Sequence, residues 1–170
     1  MRFLFCLAVV LSVIACNNDS ETPKTETTVR PAVPMMPAIN MQNEKGEIVN
    51  LSQFKGKKVF VNLWATWCPP CREEMPGIQK LAAAVDTSKV AFVMLSLDEE
   101  FATAQGFAER NNLGLPVYGP ASALPPLFQT PGIPVTYIFN ENGELIFRRN
   151  QADNYDQPRF VEMLGGNKSF

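Results

Sequence analysis

The segment that most limits how this chain can fold is Val59-Phe60-Val61-Asn62-Leu63-Trp64-Ala65, a nearly continuous apolar run. A short run of this kind reads as a central strand buried on both faces. Pro69 and Pro70 stop it, because proline has no N–H to give a sheet. Beyond them Met75, Ile78, Leu81, Ala82 and Val85 recur at helical spacing. A helix therefore starts close to the prolines, with Glu73 and Glu74 in its first turns, where acidic groups favour the positive helix end. Cys68 and Cys71 stand at the junction, so the strand delivers Cys68 to a helix N-terminus.

The rest of the pattern repeats the alternation. Val90 to Leu97 reads as a second buried strand, Glu99 to Asn112 as a helix ending near Gly114, and Leu115 to Tyr118 as a short strand. One helical turn is expected around Ala123 to Gln129. Val135 to Phe139 and Leu145 to Arg149 flank Asn140-Glu141-Asn142-Gly143 as a hairpin, and Phe160, Val161 and Leu164 suggest a small closing helix. Before the central strand, Asn43-Glu44-Lys45-Gly46 is expected to turn between two short strands, and Leu51 to Gly56 to form a loop or single helical turn. Strands alternating with helices and ending in a hairpin make an α/β sandwich on a mixed sheet.

With 170 residues, 46% of them hydrophobic and 19% charged, the chain has room for one ordinary core. Its formal charge of −2 comes without a basic block, which argues against nucleic acid as a partner. The N-terminus differs in composition. Arg2 precedes an apolar run from Phe3 to Ala15, shorter than the roughly 20 residues needed to cross a bilayer, and this matches a signal peptide. The junction Val13-Ile14-Ala15-Cys16, followed at once by Asn17-Asn18-Asp19, resembles a bacterial lipobox, which makes Cys16 the expected lipid attachment site. Residues 16–37, rich in proline and threonine, read as a flexible tether, and residues 38–170 as the folded domain.

Cys68 and Cys71 could be a staple, half of a metal site or a working thiol couple. Cys6 leaves with the signal peptide and Cys16 is taken by lipid, so the pair has only itself. The chain has no histidine and no second CxxC, so a structural zinc site lacks ligands, and Arg72 stands where haem attachment needs a histidine. A Cu(I) site on both thiolates remains conceivable, with Met35, Met36 and Met41 upstream. A staple closing so small a loop contributes roughly 2 kcal/mol by the chain-entropy model, little for a domain of this size. A thiol at a helix N-terminus, by contrast, meets unpaired N–H groups that stabilise thiolate, the species that attacks disulfides. Motif and context together point to a redox couple, with no further cofactor and no metal.

Trp67-Cys68-Pro69-Pro70-Cys71 after an apolar strand, together with Gly132-Ile133-Pro134-Val135-Thr136 before the hairpin, resembles the thioredoxin superfamily. The run VNLWATWCPPCREEMP and the extra helix and strand at 99–118 are most similar to the TlpA/ResA-like oxidoreductases of bacterial envelopes. The resemblance covers about Ala38 to Leu164. It implies a three-layer α/β sandwich with a central mixed sheet and an inserted helix-strand. It further implies that Cys68 is the exposed nucleophile, Cys71 the buried resolving thiol and Pro134 a cis-proline against the disulfide, with Trp67, Ile133 and Pro134 meeting substrate.

Two positions depart from thioredoxin itself. Asn62 stands where a buried aspartate is usual and cannot take the proton of Cys71, and Val135 replaces the usual threonine after the cis-proline. Glu74 matches the acidic position of the ResA-like subgroup and is the expected catalytic carboxylate; the alternative is a solvent-facing charge near the helix start. A thiol peroxidase usually has Thr three residues and Pro seven residues before its cysteine, where Ala65 and Val61 stand here. The expected function is a membrane-tethered thiol-disulfide oxidoreductase working as a reductant. It would be lipid-anchored in the bacterial envelope and monomeric, acting on cysteine-containing envelope proteins and recharged by an upstream membrane thiol donor. The alternative from another class is a Cu(I)-binding metallochaperone using the same cysteines.

Overall fold

The computed structural model describes residues 32–166, and the expected signal peptide, Cys16 and the first part of the tether lie outside the described residues. The described residues form one seven-stranded sheet and three α-helices. In chain order they are β1 (Asn40–Asn43), β2 (Ile48–Asn50), β3 (Lys58–Trp64), α1 (Pro69–Ala84), β4 (Val90–Ser96), α2 (Phe101–Arg110), β5 (Val117–Pro120), β6 (Val135–Phe139), β7 (Leu145–Arg149) and α3 (Pro158–Met163), with 3-10 turns at Leu51–Phe54 and Pro126–Phe128. The sheet order is β2-β1-β5-β4-β3-β6-β7. β3, β4 and β5 run parallel and the remaining pairs antiparallel. The hairpin, the turn at Gly46 and the closing helix stand where the sequence pattern puts them. The second helix is shorter at both ends than expected, and β5 begins two residues later.

Both crossovers, β3-α1-β4 and β4-α2-β5, step the same way across the sheet. Right-handed crossovers must then put α1 and α2 on one face. α3 joins them: Cys71, Met75, Ile78 and Leu81 of α1, Ala104 and Ala108 of α2, and Phe160 and Val161 of α3 share one core with Phe60, Trp64, Phe92, Met94 and Ile138 of the sheet. The opposite core holds Val59, Val61, Leu63, Val93, Leu95, Val135, Tyr137 and Phe139, covered by Met36, Ile39, Met41, Leu51 and Phe128. The third layer is thus built from 3-10 turns and the incoming chain.

The folded unit also begins before Ala38. The Met36 N–H donates to the Gly143 carbonyl at 2.7 Å, the Leu145 N–H to the Pro34 carbonyl at 2.8 Å, and Met35 bridges Glu144. Residues 34–36, assigned to the tether by their composition, instead pair beside the β6–β7 turn. Local composition carried no sign of a partner more than a hundred residues away.

Candidate active site

Alternation along β3 separates the site from the opposite core. Val59, Val61 and Leu63 point to one face and Phe60, Asn62 and Trp64 to the other, so Asn62 stands under α1. Across the β3–β6 pair its register partner is Thr136. After Trp64 the chain leaves the sheet, and a polar brace holds the departing loop. The Thr66 N–H and hydroxyl both donate to Asp98, whose carboxylate also accepts from Ser96. One residue on, Trp67 is 66% exposed.

Cys68 is the N-cap of α1, with Pro69 and Pro70 in the first helical positions, where a missing N–H costs nothing. Its Sγ accepts from the Cys71 N–H at 3.3 Å and is joined to the Cys71 sulfur as a disulfide. The same sulfur lies 3.7 Å from the carbonyl oxygen of Ile133. The Ile133–Pro134 peptide bond is cis, and β6 starts at the next residue. Trp67, Cys68, Cys71, Ile133 and Pro134 therefore come together at the end of β3 and the start of β6. The difference in burial between the two cysteines is smaller than the resemblance implies: Cys68 is 4% exposed and Cys71 0%. The indole of Trp67, rather than the sulfur, is the group that projects into solvent.

Because α1 begins at Pro69, Glu73 and Glu74 fall in its second turn, beyond the terminal N–H groups, and the dipole argument for them does not hold. Glu74 instead lies on the stripe of Cys71, Met75, Ile78 and Leu81 and is only 4% exposed. Oε1 accepts from Asn62 Nδ2 at 2.7 Å and Oε2 from the Asp153 N–H at 3.1 Å. Asn62 Nδ2 also donates to Thr136 Oγ1 at 2.9 Å. Burial raises the Glu74 carboxyl from 4.5 to about 7; the Asn62 and Asp153 hydrogen bonds pull the other way, and the Asp153 charge adds to the rise. The solvent-facing alternative for Glu74 is excluded.

The loop that supplies the Asp153 N–H lies close to α1 because residue 77 is glycine: a Cβ there would stand 3.3 Å from the Tyr155 backbone nitrogen. Arg159 holds the Asp153 carboxylate at 2.9 Å and Arg149 lies 3.5 Å from it. The Tyr155 ring packs on Phe60 and Phe160, and burial raises its hydroxyl. Thr136, Asp153 and Tyr155 were not singled out in sequence. For Thr136 a signal existed, since period-2 alternation puts it on the face of Ile138 and so opposite Asn62. For the 153–155 loop there was none. The upstream methionines do not approach the sulfurs: Met36 and Met41 belong to the opposite core, and Met35 sits at the β6–β7 turn.

The sheet order and the cysteine couple at a helix N-cap beside a cis-proline define a thioredoxin-like protein. The chain belongs to the AhpC/TSA family, which it matches over residues 34–148. It is 32% identical over 107 residues to the thiol-disulfide oxidoreductase ResA of Halalkalibacterium halodurans, covering 62% of this chain and 61% of that one. It is 34% identical over 109 residues to the thioredoxin-like protein YneN of Bacillus subtilis, covering 63% and 64%. The chain thus spans a little over three-fifths of the length of these curated relatives. A thiol:disulfide interchange protein of the thioredoxin family from Chlorobium tepidum superposes with a TM-score of 0.64 at 23% identity, over 79% of this chain and 98% of that one. That likeness establishes the fold.

Proposed function

We propose that this protein is a thiol-disulfide oxidoreductase that reduces disulfides in cysteine-containing proteins of the bacterial envelope through Cys68 and Cys71. The observation that carries the reading is the placement of Cys68: an N-cap sulfur that accepts the Cys71 N–H, beside the Ile133 carbonyl, with a buried carboxylate one helical turn behind its partner. In the reduced protein the Cys68 thiolate attacks a substrate disulfide. A mixed disulfide forms and one substrate thiolate leaves, taking a proton from water. Cys71 then gives its proton to the Glu74 carboxylate and attacks the Cys68 sulfur, and the second substrate thiolate leaves. Two electrons have passed to substrate and the Cys68–Cys71 disulfide remains. A membrane thiol donor upstream restores the dithiol, and lipid on Cys16 keeps the domain, as a monomer, at the membrane.

A carboxyl near pH 7 is matched to this task, since it can take a proton during attack and release it afterwards. The experiment is to express Cys68→Ser and Cys71→Ser variants of the full chain in a bacterial envelope and look for DTT-sensitive adducts on non-reducing gels. Adducts with Cys71→Ser alone support the assignment. Adducts with both or with neither overturn it.

A further inference from the structure

The hydrogen bonding of Asn62 is one-sided. Its Nδ2 donates to Glu74 Oε1 at 2.7 Å and to Thr136 Oγ1 at 2.9 Å, which uses both N–H bonds, while its Oδ1, equally buried, has no donor. A buried acceptor without a partner forfeits a hydrogen bond. The arrangement suits an ionised Glu74, which can only accept. It does not suit a protonated Glu74, which has an O–H to place while Oε1 faces an N–H. The two ends of an amide have nearly the same shape. A half turn about the Cβ–Cγ–amide axis therefore exchanges Oδ1 for Nδ2; Oδ1 can then accept from both the Glu74 O–H and the Thr136 hydroxyl, and the N–H bonds take the unpartnered side that Oδ1 occupies now, a cost that the O–H bond of the acid must offset.

We propose that Asn62 is a positioning residue whose side-chain amide turns end for end with the protonation of Glu74, donating to the carboxylate and accepting from the acid. The inference rests on the reading of Glu74 as proton partner of Cys71, and it explains what residue 62 contributes to that exchange. Either form of Glu74 keeps a hydrogen bond to its neighbour, so neither is trapped. An aspartate at 62 could only accept from Glu74 and would add a second charge; a leucine could do neither. The other groups bearing on Glu74 are the Asp153 N–H and carboxylate from the loop after β7, with Arg149 and Arg159 on that carboxylate, and the Tyr155 hydroxyl. Of the groups hydrogen-bonded to the carboxyl, the Asp153 N–H is a fixed donor, which leaves the Asn62 amide as the partner able to reverse.

The test follows the Glu74 carboxyl carbon and the Asn62 side-chain amide together by NMR, in the oxidised full chain, as pH is varied. The expected result is a shared midpoint, with the Asn62 N–H protons losing their proximity to Thr136 on the acid side. Asn62→Leu removes a hydrogen bond from both forms, so the Glu74 midpoint should rise by less than about one pH unit, the difference between a bond to the charged group and one to the acid. An Asn62 amide that stays fixed while Glu74 titrates overturns the proposal. So does a Glu74 that keeps one protonation state throughout the pH range in which the protein is folded. These readouts need no turnover. The role of Glu74 toward Cys71 fails separately, if Glu74→Gln leaves the pH profile of dithiol oxidation unchanged.

Discussion

The two faces of the sheet are buried to the same depth and are built differently. The face under the turns is mostly hydrocarbon, relieved by Tyr118 and by Tyr137, whose hydroxyl donates to the Leu127 carbonyl at 2.8 Å. The face under the helices carries Asn62, Glu74, Ser96 and Thr136 as well as both cysteines. β3 serves both, because successive residues point to opposite sides. Polar groups that cost free energy to bury are thus confined to the side where a helix N-cap and a carboxylate can use them, and the other side is left to supply stability.

The largest effect expected is on the chemistry of the helix face. Cys68→Ser should reduce insulin disulfide reduction by dithiol to the uncatalysed rate, while Cys71→Ser keeps single attack and stops before resolution. If the Cys71→Ser protein turns over at a comparable rate, the ordering of the two sulfurs is wrong.

On the opposite face the effect should fall on stability alone. Leu63, fully buried in that core, stands next to Asn62 in sequence but on the other side of the sheet. Leu63→Ala should cost about 2–5 kcal/mol in denaturant unfolding. It should leave the pH dependence of dithiol oxidation in place, and a displaced profile would mean that the two faces are coupled through β3.

Whereas burial raises the shifted groups of the other face, Tyr118 and Tyr137, further into the alkaline range, the Glu74 carboxyl gives the helix face a dependence on pH near neutrality. Its folded value, about 7, lies above the 4.5 of the exposed group, so the folded state holds the proton more tightly. Its contribution is complete below pH 4.5 and is lost as pH rises through about 7. A difference of this size is worth about 3 kcal/mol. Unfolding free energy of the oxidised protein should therefore fall across that window, and Glu74→Gln should remove this part of the slope. A wild-type slope identical to that of the variant would show that the folded state does not raise the Glu74 carboxyl.

How far the sequence foretold this division depends on the range of the interaction. Strands and helices were legible because period and proline are local signals, and Cys68 at an N-cap followed from Pro69 and Pro70 alone. The burial of Glu74 could have been read from its spacing to Cys71, Ile78 and Leu81, but a carboxylate on an apolar stripe argues against itself until its partners are known. Those partners come from β3, β6 and the loop at Asp153, which no local pattern joins. The pairing of Pro34 and Met36 with the β6–β7 turn was hidden for the same reason.

The smallest effect on stability is expected at Trp67, and it bears on where the helix face meets a partner. The residue is 66% exposed, so Trp67→Ala removes little buried area and should change unfolding free energy by no more than about 0.5 kcal/mol. In the chain it adjoins Cys68, whose own surface is almost closed, and a docking role for the indole makes a definite prediction. Loss of the ring should raise KM for a protein disulfide several-fold while the rate with a small disulfide, which needs no docking surface, stays close to wild type. If both substrates slow equally, Trp67 acts on the geometry of the Cys68 loop, through the Thr66–Asp98 brace beside it, and not on docking.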